Sequence, residues 1–128
     1  GYPGNYGMIP GTLLPRELGG DGDPLDVIVL GPAIPRGSVV RAKLIGALKL
    51  LDGGEQDDKL IAVPENTLMY EVNSIEELNA RYMGVSEIIK IWFVNYKGPG
   101  KLSSKGYVDK NEAEKILNYA ITAFEEGR

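Results

Sequence analysis

The chain predicts an α+β domain: several strands curled into a small closed β-barrel, with helices packed against it. Two patterns and a size argument carry this. Extended segments bounded by glycine and proline fill the first half: short apolar runs at Val27–Leu30 and Leu60–Val63, and a long alternating one at Ser38–Leu51. Capping signals and helix-period stripes fill the second half. At 128 residues, 43% hydrophobic and 25% charged, residues 1–128 read as one domain with enough apolar material for a core.

Taken in order, Tyr2 to Gly11 is dense in glycine and proline and reads as a loop carrying two tyrosines. Thr12 to Gly19 continues as irregular chain. Val27 to Leu30 reads as a buried strand that Gly31-Pro32 ends, and Ile34 to Gly37 as a turn. Ser38 to Leu51 is long and extended, with Val40, Ala42 and Leu44 on one side, Arg41 and Lys43 on the other, and a bulge or tight bend at Gly46. A glycine-rich turn with acidic ends, Asp52 to Lys59, leads into the strand Leu60–Val63 before Pro64. The remainder reads as helical. Ser74-Ile75-Glu76-Glu77 is a capping box, and Ser86 to Tyr96 is a strongly apolar helix that Asn95 to Gly100 terminates. A flexible connection with Lys101 and Lys105 follows. Asp109 then caps a last helix whose stripe is Ala113, Ile116, Leu117, Ala120, Ile121 and Phe124.

Composition removes several chemistries. There are no cysteines and no histidines, so thiolate zinc sites, cysteine nucleophiles and histidine-based triads are excluded. A net charge of −4 without a basic cluster argues against nucleic acid as a partner, and no apolar run has the length of a membrane span. Catalysis would rest on carboxylates, lysines, tyrosines, hydroxyls or a metal.

The stretch Gly20-Asp21-Gly22-Asp23-Pro24-Leu25-Asp26-Val27 is the strongest chemical signal. Three aspartates this close repel one another unless a cation sits between them, and oxygen-only ligands suit Mg²⁺ or Mn²⁺. The plain alternative is a turn, since Asp, Gly and Pro are ordinary turn residues. An EF-hand does not fit: counting from Asp21, its fifth, sixth and twelfth places hold Leu25, Asp26 and Pro32. A Walker A loop occurs nowhere. Asp52 and Asp57, with Lys59 beside them, form a second acidic cluster that a hairpin would bring together; taken alone it reads as a solvated turn.

On these residues the chain resembles the family I soluble inorganic pyrophosphatases. Their signature, Asp-x-Asp-Pro-x-Asp with an apolar residue after it, stands as Asp21 to Val27. Tyr2-Pro3-Gly4-Asn5-Tyr6-Gly7 is similar to the family's tyrosine loop, Asp52, Asp57 and Lys59 to its second acidic turn, and Tyr96-Lys97 to its late Tyr-Lys pair. The resemblance runs in the family's order from Tyr2 to about Lys97.

The resemblance implies an OB-type barrel, and Mg²⁺-dependent hydrolysis of pyrophosphate to two phosphates, with several metals per site and Mn²⁺ as a substitute. By carry-over, Asp21, Asp26 and Asp57 hold the activating metals, and Asp52 with Asp57 holds one that arrives with substrate. Asp23 is the general base, while Tyr6, Lys59, Tyr96 and Lys97 bind the phosphates. It also implies a cytoplasmic homo-oligomer. The family carries a segment ahead of the tyrosine loop that has no counterpart here, so the domain is expected to be incomplete at its N-terminus. A metal- or phosphate-binding fragment without turnover is the alternative, and a phosphohydrolase acting on nucleotides or phosphate esters ranks last.

Overall fold

The computed structural model describes residues 4–14, 16, 20 and 22–127. Among the described residues, six strands form one sheet: β1 (Asn5–Met8), β2 (Asp26–Val29), β3 (Ala42–Asp52), β4 (Glu55–Gln56), β5 (Lys59–Pro64) and β6 (Leu102–Val108). The α-helices α1 (Ile75–Arg81), α2 (Val85–Asn95) and α3 (Lys110–Glu126) accompany it. The hydrogen-bonded order is β1-β2-β5-β3, and both β4 and β6 pair with β3.

The centre of the sheet is a hairpin. β3 turns at Gly53-Gly54 and returns as β4 and then β5. Leu51 faces Gln56 and Leu48 faces Lys59, so the register is unchanged across the break at Asp57-Asp58. The amide of Asp57 keeps the ladder alive there, donating to the Leu50 carbonyl at 3.0 Å. Near its start β3 carries a register shift between Leu44 and Gly46, which is the expected bulge. A side chain at Gly46 would stand 2.6 Å from the Ile75 side chain and 2.8 Å from the Val108 carbonyl, so the sheet, α1 and β6 meet there only because the position has no Cβ.

Both faces of the sheet are covered. On one lie Ile28, Ile45, Leu48, Leu50, Ile61 and Val63, packed with Leu78 of α1 and with Ile89 and Phe93 of α2. On the other, Leu25, Ala47 and Leu60 meet Ala113 and Ala120 of α3. The alternation follows from the two-residue period of a strand. α1 begins as expected: Ser74 Oγ accepts from the Glu77 amide at 3.0 Å, and Glu77 reaches back to the Asn73 amide. α3 begins on Asp109, whose carboxylate accepts from the Glu112 amide at 2.9 Å. Among the described residues no helix is long and apolar enough to cross a membrane.

Four expectations are corrected. The barrel does not close among the described residues: β1 pairs with β2, β6 pairs with β3, and no pairing joins those outer strands. Closure requires the outermost strands to bond each other, and here helices bury the two apolar faces instead. The tyrosine-bearing segment, expected as loop, contributes β1, because Asn5 to Met8 find a ladder on β2 that local propensity does not foretell. The connection with Lys101 and Lys105, expected as flexible, is β6, whose pairs with Ala47 to Asp52 are long-range. Finally, the long extended segment enters the sheet only at Ala42, leaving Val39 98% exposed. Its partner strand ends at Pro64, which has no amide to donate.

Gly46→Ala is expected to lower stability on the order of 1–3 kcal/mol, because backbone at Val108 has to move to admit the methyl group. Urea denaturation of the variant beside the parent checks this.

Candidate functional site

Lys59 opens β5 and is 1% exposed. Parallel pairing sets it beside Asp26, the first residue of β2. Antiparallel pairing sets Tyr6 of β1 opposite Ile28, two residues along the same face from Asp26. Asp57, two residues ahead of Lys59, projects to that face as well. Three segments far apart in the chain thus surround one ammonium. Lys59 Nζ donates to Asp26 Oδ2 at 2.6 Å, to Asp57 Oδ1 at 2.8 Å and to the Tyr6 hydroxyl at 2.9 Å, and Tyr6 donates to Asp26 Oδ2 at 2.7 Å. All three ammonium protons are used.

Phe93 floors this cluster. Its ring centroid lies 5.6 Å from Lys59 Nζ and 5.9 Å from the Tyr6 ring. From Phe93 the aromatic contacts continue to Tyr96, edge-on at 5.8 Å, and Tyr96 stacks on Trp92 at 4.9 Å with an interplanar angle of 8°. Trp92 and Tyr96 are one helical turn apart, so α2 itself sets the stack. Lys97 follows the helix end, where the macrodipole favours a cation, and bonds Asp52 at the close of β3.

The electrostatics follow from these contacts. Burial works against the Lys59 charge, but the bonds to Asp26, Asp57 and Tyr6 outweigh it and hold the ammonium well above the usual lysine range. Burial lifts the Tyr6 phenol well above its ordinary value, so it stays a donor at neutral pH. The bond to Asp52 raises Lys97, and the Asp57 charge adds to it.

The expected site residues therefore divide. Tyr6, Asp26, Asp57 and Lys59 meet directly, and Asp52, Tyr96 and Lys97 form a neighbouring group joined to them through Phe93. Asp23 lies exposed on the loop ahead of β2, its carbonyl accepting from the Leu14 amide at 3.0 Å. Asp21, and Tyr2-Pro3 of the tyrosine loop, lie outside the described residues. No cage of three acidic groups forms among the described residues. The donor set nonetheless fits a hard divalent cation: Asp26 and Asp57 are carboxylates that each meet Lys59 through a single oxygen. Sequence reasoning missed Phe93 and Trp92 as parts of the site, reading them only as core. The four-residue spacing from Trp92 to Tyr96 was the available signal.

Residues 1–125 match the family model described as inorganic pyrophosphatase. An inorganic pyrophosphatase of Helicobacter pylori is 38% identical over 128 residues, covering 97% of this chain and 71% of the relative. One from Ralstonia nicotianae is 41% identical over 120 residues, covering 91% of this chain and 66% of the relative. The solved structure of the inorganic pyrophosphatase of Helicobacter pylori superposes with a TM-score of 0.84 at 37% identity, covering 97% of this chain and 72% of that one.

Lys59→Met is expected to cost about 3 kcal/mol in EDTA, because it strands two carboxylates that share a nearly buried cation. A lysine held above its unfolded value stabilises fully below that value, and the contribution fades as pH climbs through the folded one. The gap between parent and variant in urea denaturation should therefore be constant near neutrality and narrow only above about pH 10.5.

Proposed function

The chain belongs to the inorganic pyrophosphatase family, and on that basis we propose that it hydrolyses pyrophosphate to two phosphates with a divalent cation, Mg²⁺ or Mn²⁺ in its place. The observation that carries this reading is the convergence of Tyr6, Asp26 and Asp57 on Lys59, which gathers carboxylates and phosphate-binding donors from separate strands. Residues 1–128 act as one domain in this reading, supported by a family match over residues 1–125.

Asp21, Asp26, Asp52 and Asp57 would hold the cations. When bound, these cations supply Lewis acidity and charge compensation at the oxygens that gain charge. The chain's own groups do the rest. Lys97 presents ammonium protons and Tyr96 a phenolic one to phosphoryl oxygens. Lys59 and Tyr6, whose protons Asp26 and Asp57 hold, would turn to those oxygens once cations take up the two carboxylates. Phe93 and the Trp92–Tyr96 stack hold those donors from behind. Asp23 stands exposed on the loop ahead of β2, where its carboxylate can take the proton of the attacking water, and no histidine exists to compete for the role. Homo-oligomeric assembly and a cytoplasmic setting complete the proposal, supported by the family resemblance of Tyr2 to Lys97. A fragment that binds without turnover is not favoured, since the matched relatives are named as pyrophosphatases across nearly all of this chain.

Phosphate release from pyrophosphate by this chain should require Mg²⁺, stop in EDTA, and exceed release from ATP or a phosphomonoester. No release from folded, Mg²⁺-loaded protein would overturn the activity. Asp23→Asn should keep Mg²⁺ affinity and lose about 10²–10⁴ in kcat, as expected for a general base. Asp26→Ala should weaken Mg²⁺ binding itself, read by calorimetric titration; a titration matching the parent removes Asp26 from the metal set.

A further inference from the structure

Both ends of the acidic loop are fastened to one edge of the β3–β5 hairpin. Gly20 bridges Gln56 in parallel, and Asp26 pairs in parallel with Lys59. The chain advances from 20 to 26 on one side while the hairpin advances only from 56 to 59, so its described residues between, Gly22 to Leu25, stand off the ladder, with Asp23 exposed. Gly20 fits this place because a Cβ there would lie 2.6 Å from the backbone of Leu14. Leu14 in turn grips the loop at Gly22 and Asp23.

On the hairpin, Asp57 and Lys59 face the site, so Gln56 and Asp58 face away from it. These two are joined: Gln56 Nε2 donates to Asp58 Oδ2 at 2.6 Å. Asp58 is 1% exposed; no hydrogen bond reaches its Oδ1 among the described residues, while the Leu50 backbone and the Lys49 charge also act on its carboxyl. A carboxyl buried this deeply costs stability unless its neighbours compensate. Asp58 directly follows Asp57 and holds Gln56, the residue on which Gly20 docks.

We propose that the Gln56–Asp58 pair is a positioning element that locks the Gly20 bridge onto the hairpin and so fixes the carboxylates of the acidic loop against Asp57. It acts on the metal through these ligands, as partners behind ligands do. The inference rests on the metal-dependent reading above and goes beyond it in assigning work to two residues that touch neither metal nor substrate.

The test is calorimetric Mg²⁺ binding without substrate, on parent, Asp58→Ala, Asp58→Asn and Gln56→Leu, with melting temperature and pyrophosphate turnover measured beside it. Asp58→Ala and Gln56→Leu should each weaken Mg²⁺ binding about 10–100-fold. Asp58→Asn, whose amide oxygen still accepts from Gln56, should keep the parent affinity. Gln56→Leu guards against an Asp58→Ala protein that does not fold. Folded variants with altered melting but parent Mg²⁺ affinity would overturn the proposal and leave the pyrophosphatase reading intact. Variants that lose Mg²⁺ beside a parent that binds Mg²⁺ but releases no phosphate would uphold the positioning role and overturn the activity. A parent that takes up no Mg²⁺ overturns both.

Discussion

The buried ammonium of Lys59 is the constraint on which the site depends. A cation 1% exposed is tolerable only because its three protons meet Asp26, Asp57 and Tyr6 at 2.6–2.9 Å. Those partners come from β2, from the break between β4 and β5, and from β1, so one charge fixes the mutual placement of three strands. The same contacts restrain two carboxylates that would otherwise repel each other.

The pairing pattern explains why the site lies where it does. β2 joins β5 in parallel, the only parallel pair between named strands among the described residues, and the crossover connection it requires passes through the long β3. The apolar remainder of the same face, Ile28, Ile61 and Val63, is sealed by α1 and α2. Chemistry therefore sits at the start of β2 and β5, where the apolar face gives way to charge, and Phe93 forms the boundary between the two.

Rigidity and exposure are divided to match. Lys59, Asp57 and Asp58 are buried within the hairpin, whereas Asp23 is exposed on a loop held by Leu14 and by the bond from the Leu25 amide to Thr12. In the proposed reaction, a cluster meant to bind phosphate would gain from being fixed beforehand, and a group meant to accept a proton from water must meet water.

By itself the sequence determined the features that depend on near neighbours. The Asp21–Asp26 spacing, the Asp52–Lys59 turn, the caps at Ser74 and Asp109, the stripe from Ala113 to Ala120 and the bulge at Gly46 were all legible, because each is set by residues a few positions apart. Only the tertiary structure decided that Asn5–Met8 and Leu102–Val108 are strands, that the sheet stays open among the described residues, and that Phe93 lies beneath the Lys59 ammonium. Those outcomes turn on partners 20 to more than 50 residues away, such as Lys59 for Tyr6 and β3 for β6. Local propensity carries no information about which distant edge will satisfy a backbone or which distant charge will satisfy an ammonium.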